Sequence, residues 1–455
     1  MGRHSRFPHM AHNIRLIPIL AMVLVSLSGC TFPLLQNIPF LSRYSAAGHE
    51  KSPLPKPLEP PKAAASPAVG GQSPVPVSPV PSPPKADPSP PVAARENLSL
   101  SPEPVAPLPL PKTSVPRSRH VIAVTALSYD GTVLAEDTTW AGEVIVSDSI
   151  TVAPQATLTV EAGTTVRFRK DSVLFVQGRL AVNGTAERPV LLGSEYVEVQ
   201  PGDWQGIFLA GSEKNNVLAN CVVEGADTGL SAAFSRVSLT SVYTKECRTG
   251  ASFDDSFVTI RNGGFRKGGI GIISRDSELD IREVDISANR QGLIASASSV
   301  SLEGGSFFGN EEEAILFNDS RFGIRGNSIT GNGKGAVFMQ SHGNVAANRI
   351  VNNAGTGLQA EDARIRVNGN DISGNGGIGL HVTDGRVIGW GNIFTDNGTF
   401  NMYNAGMSEA TLVGNWWGKG SEAETAARIH GRHKDSSAGI VRFLPILKEP
   451  PPIRP

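Results

Sequence analysis

The chain has 455 residues, a formal net charge of −1, 49 glycines and 33 prolines. Near-neutral charge, with lysine and arginine scattered along the chain, leaves no nucleic-acid footprint. Twenty-one of the prolines lie between Pro53 and Pro116 and the glycines concentrate after residue 130, so a length that allows two or three domains reads as one folded domain behind a proline-rich segment.

Residues 1–29 read as a leader. Arg3, Arg6 and Arg15 form a basic start, and Leu16–Leu27 is an apolar stretch too short for a stable span. It ends in Leu27-Ser28-Gly29-Cys30, which resembles a bacterial lipobox. The resemblance implies cleavage before Cys30, acylation of Cys30 and partnership with a membrane through at least two acyl chains, which stable anchoring requires. An ordinary signal peptide with a chance cysteine is the alternative. Thr31 in place of aspartate, by resemblance to sorting patterns, favours the outer membrane, on its periplasmic face or at the surface.

Residues 30–118 read as a tether. Valine, proline, alanine and serine dominate, and no apolar period survives. Such a segment buries too little apolar surface to offset its ordering entropy. Proline stiffens it toward polyproline II, so about 80 residues reach at most on the order of 200 Å. A selected spacer and a passive linker are both compatible with this composition.

Residues 119–139 are expected to cap the N-terminal end of the fold. Over 140–216 short strands appear without a strict period. The triplets Ile150/Leu158/Val166 and Val173/Leu180/Val190 are expected to stack as two early coils. From residue 229 a ladder takes over: Gly229, Gly250, Gly271, Gly292, Ala314, Gly335, Gly357, Gly379 and Asn401 recur every 21 or 22 residues. Large side chains keep the same interval at Val222, Tyr243, Phe265, Ile286, Phe308, Ile329, Ile350, Ile372, Phe394 and Trp416. A period too short for two helices, filled with β-branched triplets, is that of a β-solenoid. In the coil 365–385, Ile365, Val367, Ile372, Leu380 and Val382 are expected to point inward, with turns at Asn368–Asn370 and Asn375-Gly376-Gly377. Two asparagine ladders follow the same interval: Asn327, Asn348, Asn370 and Asn392, and Asn289, Asn310, Asn332, Asn353, Asn375 and Asn397. Asparagine tolerates left-handed backbone and its amide bonds the amide one coil away, so both ladders read as structural. Cys221 and Cys247 fall at different points of the repeat, out of column by about five residues, which places them beyond the roughly 7 Å Cα limit of a disulfide. They are expected to be free.

Trp140-Ala-Gly142, "TVAPQATLTVEAGTTVRF", "VQGRLAVNGTAERPVLL" and "GDWQGIFL" resemble the opening coils of right-handed parallel β-helix repeat proteins of bacterial envelopes, grouped with carbohydrate-binding and sugar-hydrolase β-helices. Later stretches such as "GNSITGNGKGAVF" and "NGNDISGNGGIGLHV" are similar to the same family's repeats. The expected fold is all-β: a right-handed parallel β-helix over 140–416 with three strands per 21–22-residue coil, and a C-terminal cap and tail over 417–455. In that cap Ser421-Glu422-Ala423-Glu424 is a capping box for a short helix, and Ile440–Leu447 is expected to add a last strand. Trp416-Trp417-Gly418 reads as the start of this lid.

Three groups are candidates for chemistry. Asp255, Asp276, Asp319, Asp362 and Asp384, with Ser256, Ser277 and Ser320, occupy the turn after the third strand. Stacked carboxylates can hold calcium or serve a glycosidase or lyase, but Ala297 and Gln340 interrupt the row. Turn formation is the competing account, and no metal or other cofactor is otherwise called for. Glu361, Asp362, His381 and Asp384 are the densest group and the candidate catalytic set, for acid–base work on a polysaccharide. The chain lacks the pectate-lyase Trp-x-Asp-His, polygalacturonase Asn-Thr-Asp and Gly-His-Gly, and alginate-epimerase Asp-Pro-His motifs. The third candidate is the outward column of the third strand: Ile273, Ile294, Leu316, Val337, Gln359, His381 and Tyr403. Four stacked exposed aliphatics would form a patch for a ligand or partner. The expected role is therefore noncatalytic binding or scaffolding toward polysaccharide or an envelope protein, with a glycoside hydrolase or lyase as the alternative.

Overall fold

The computed structural model describes residues 119–122 and 126–453; the leader at 1–29, Cys30 and the tether over 30–118 lie outside the described residues. Alternation of inward and outward side chains, fixed by the two-residue pleat, decides how the chain winds. In Ile270–Arg275, Ile272 and Ser274 are buried whereas Ile273 is half-buried and Arg275 exposed. Each strand pairs in parallel with the strand one coil later, giving a parallel β-solenoid of about 13 turns.

Three walls run its length. The first stacks Phe257–Arg261, Glu278–Arg282, Ser299–Glu303, Arg321–Arg325 and His342–Ala346. The second stacks Gly264–Arg266, Asp285–Ser287, Ser306–Phe308, Ser328–Thr330 and Arg349–Val351. The third stacks Thr249–Asp254, Ile270–Arg275, Gln291–Ser296, Glu313–Asn318 and Lys334–Met339. In the longer strands Leu358–Asn368 and Leu380–Trp390 the third wall runs into the first across the intervening turn.

The register corrects four members of the expected apolar ladder. Thr244 pairs with Phe265, and Val223 with Thr244. Phe307 pairs with Ile286 and Ile329. The inward column is therefore Val223, Thr244, Phe265, Ile286, Phe307, Ile329, Ile350, Ile372 and Phe394, closed by Trp417, which stacks on Phe394 at 4.8 Å. Val222, Tyr243, Phe308 and Trp416 sit one residue out of phase, with Tyr243 40% and Phe308 58% exposed. A one-residue slip along a strand reverses the face, and an unbroken interval cannot reveal it. In the early coils Leu174, not Val173, stacks on Ile150, and Leu192, not Val190, stacks on Val166. The inward positions of the coil 365–385 are as expected: Ile365, Val367, Ile372, Leu380 and Val382 are all buried.

Stacking also explains the glycines. A Cβ on Gly335 would lie 2.2 Å from the Gly357 carbonyl oxygen, and one on Gly292 2.2 Å from that of Ala314. The chain enters the third wall so close to the coil above that only hydrogen fits. Ala314 takes the same place in another coil, so the close approach belongs to those glycines and not to the whole ladder.

Both asparagine ladders are buried and continuous. The Asn375 Oδ1 accepts from the backbone N–H of Asn353 at 3.1 Å and from its Nδ2 at 2.9 Å. Asn375 Nδ2 in turn donates to the Ile350 carbonyl and to Asn397 Oδ1, each at 3.0 Å. The other ladder ends at Asn415, and this one at Asn401. Cys221 and Cys247 are free and buried, and burial pushes both thiols up to about 12.

Coil pairing begins at Leu127–Tyr129, within the segment 119–139 expected as a cap, and the last pairing joins Ala410–Thr411 to Val441–Arg442. Residues 119–122 run antiparallel beside the loop at 195–197, through the Val121–Tyr196 bridge, and Arg119 pairs with Asp203. At the other end Ser421 caps helix α1 (Glu422–Ala427) in the expected capping box. The expected strand over Ile440–Leu447 is only Val441–Arg442; beyond it Phe443 and Ile446 pack on the core.

Replacing Asn375 by alanine orphans the buried backbone N–H of Asn353, at about 1–3 kcal/mol, and leaves the Asn353 Nδ2 with the Ile329 carbonyl alone. Asn375→Ala should lower the denaturation midpoint clearly. Asn344→Ala, at an exposed outward position, should stay within about 0.5 kcal/mol of the parent. Equal midpoints for the two variants would contradict a structural role for the ladder.

Candidate functional site

The third wall carries the outward column in the expected register: Ile273, Ile294, Leu316, Val337, Gln359, His381 and Tyr403 pair coil to coil. It extends further than the sequence indicated, back through Ser252, Ser231 and Phe208 to Phe175, and forward to His430. The aliphatic stretch is not the exposed patch expected. Val337 is buried at 5% exposure, and Ile273, Ile294 and Leu316 are half-buried. Coils about 4.8 Å apart shield each other's side chains, and a polar column covers one flank. There Glu313 accepts from Gln291 and from Lys334, each at 3.2 Å. Burial pushes the Glu313 carboxyl up, and hydrogen bonds from Gln291, from its own backbone N–H and from Lys334 outweigh it and hold it below the usual range.

Aromatic rings gather where the column ends. Tyr403 stacks on His430 with centroids 4.1 Å apart and planes at 14°. His381 meets Tyr403 edge-on at 5.4 Å, and Phe400 lies 5.4 Å from Tyr403 and 5.8 Å from His430. All four residues are half-buried. His430 was missed in the sequence because helix α1 interrupts the 21–22-residue interval, and Phe400 because it lies outside the column, three residues before Tyr403. Only the pairing of Met402–Tyr403 with Ile429–His430 puts His430 in the column.

The candidate catalytic group is only partly assembled. Glu361, Asp362 and Asp384 line an open depression with Arg364, Arg386, Thr383 and Ser408, and His381 is not among its lining residues. Asp362 and Asp384 have φ of 46° and 60°, and Asp255, Asp276 and Asp319 are also left-handed at 44–48°. Ala297 and Gln340 take the same conformation at 50°, so the row is a backbone requirement that aspartate meets well. Asp384 also accepts the Met407 N–H at 3.1 Å. Among the described residues no three His, Cys, Asp or Glu side chains are grouped to hold a metal ion.

Burial holds the His381 imidazole below its usual value, against the opposing charge of Glu361. A histidine whose folded pKa is depressed stabilises the fold above its unfolded value, about 6.5, and that contribution is lost as pH falls through the window below it. His381→Gln should therefore flatten the loss of stability on acidification below about 6.5. An NMR titration midpoint for His381 above that of a free histidine would contradict the burial.

Two family models match the chain: "Pectate-lyase like beta helix domain" over residues 131–232 and "Right handed beta helix region" over residues 268–416. No curated protein matches it in sequence. Among solved structures it is similar to the periplasmic alginate epimerase AlgG, at 13% identity and TM-score 0.36, covering 67% of this chain and 77% of that one. It is also similar to the A-module of a mannuronan C-5 epimerase from Azotobacter vinelandii, at 14% identity and TM-score 0.34, covering 66% and 88%. Likenesses this distant carry nothing about substrate. With both β-helix models falling on one continuous stack of coils, the chain carries a right-handed parallel β-helix domain.

Proposed function

We propose that this is a lipid-anchored protein of the cell envelope, attached through Cys30 at the outer membrane, that binds an extended polysaccharide without turning it over. The observation that carries the reading is the aromatic end of the third wall. His381, Phe400, Tyr403 and His430 present ring faces and edges at the end of a straight outward column. Aromatic side chains offer large rigid contact area with a polar tip, which suits sugar rings. The pectate-lyase-like description of residues 131–232 supports the same ligand class.

The full chain should be retarded in gels containing its polysaccharide, and Tyr403→Ala should weaken that binding roughly three- to tenfold, as the loss of one aromatic contact would. Tyr403→Leu, which keeps an apolar side chain for packing, separates ring loss from unfolding. Unchanged retardation for both variants would rule out the aromatic end as the binding site. For the anchor, Cys30→Ala should move the protein from the membrane to the soluble fraction; retention in the membrane would refute attachment at Cys30.

A second reading is favoured by the depression that brings Glu361, Asp362 and Asp384 beside Arg364 and Arg386. It makes the protein a glycoside hydrolase or polysaccharide lyase, with His381 at the margin. Release of reducing ends or unsaturated uronate that Asp362→Asn abolishes would establish this reading and displace the first.

A further inference from the structure

The arginines that look scattered in the sequence gather on the first wall. Arg321, His342, Arg364 and Arg386 form one outward column, coil upon coil. Arg366 stands in the next outward column and Arg325 in the one beyond it. All are exposed. Earlier coils of this wall are charge-matched: Asp280 pairs with Arg261 and Arg282, and Glu303 with Arg282. Among the described residues Arg321, Arg325, Arg364, Arg366 and Arg386 form no ion pair. The next coil sets Glu409 near the end of the Arg386 column, but Arg442 holds that carboxylate. Trp390, 47% exposed, lies at the far edge of the same wall, on the strand that carries Arg386.

We infer that this wall is a second site, which takes a linear acidic polysaccharide running along the solenoid axis. The inference rests on the reading above for the class of ligand, and on different residues for the site. Arg321 Nε donates to His342 Nε2 at 3.2 Å, whereas Arg364 and Arg386 stand one coil apart as like charges, and an anion laid across them relieves the repulsion. The guanidinium fork matches a carboxylate with two parallel hydrogen bonds. Coils repeat at about 4.8 Å, close to the length one pyranose ring adds to an extended chain, so neighbouring rings meet Arg364 and Arg386. Trp390 supplies a face for a ring. Glu361, Asp362 and Asp384 at one edge keep the positive strip narrow, which suits a single chain of sugars better than a broad polyanion.

The test titrates the full chain with polygalacturonate, neutral dextran and single-stranded DNA at two salt concentrations. Polygalacturonate should bind, more weakly at higher salt, and dextran should not displace it. The triple variant Arg364→Gln, Arg366→Gln, Arg386→Gln should bind at least tenfold more weakly with a flatter salt dependence, and the matching lysine variant should recover part of the loss. Trp390→Ala should weaken binding at both salts. Arg282→Gln, in the charge-matched coils of the same wall, should leave polygalacturonate binding intact; this site is read by the arginine triple variant and the third-wall reading by the tyrosine variants, so the two fail separately. Unchanged binding by the glutamine variant, or equally tight binding of single-stranded DNA, would overturn the inference.

Discussion

Each coil hydrogen-bonds the next in strict register, and every other feature of the domain depends on that stacking. It brings backbones so close at the entry to the third wall that a Cβ on Gly335 or Gly292 would meet a carbonyl oxygen at 2.2 Å. It sets asparagine over asparagine, so that one Oδ1 accepts two donors from the neighbouring coil. It fixes left-handed turns that aspartate, alanine and glutamine all occupy at the same position. Because a buried amide without partners is costly, the ladders hold the register as well as the turns.

The same stacking turns outward side chains into columns, and a column has properties its members lack. On the third wall, neighbours above and below bury Val337 and half-bury Ile273, Ile294 and Leu316, and the column passes into half-buried rings at its end, around Tyr403 and His430. On the first wall, charges alternate in the coils around Asp280 and then do not. The turn between these walls holds Glu361, Asp362 and Asp384. Two faces of different chemistry therefore meet along one edge, the first cationic and the third partly aromatic.

The sequence by itself determined the period, the three-strand coil, both asparagine ladders and the capping box at Ser421, because each is a local requirement repeated at a constant interval. It also placed Ile273 through Tyr403 in one column. It could not determine which of two adjacent residues faces inward where both are large, as at Phe307 and Phe308, since a period is unchanged by a one-residue slip. Tertiary structure alone decided that His430 joins Tyr403 across the inserted helix, that Val337 is buried, and that arginines distant in sequence stand unpaired on one wall. Those outcomes depend on what lies one coil away, and strand register, not sequence distance, sets that neighbour.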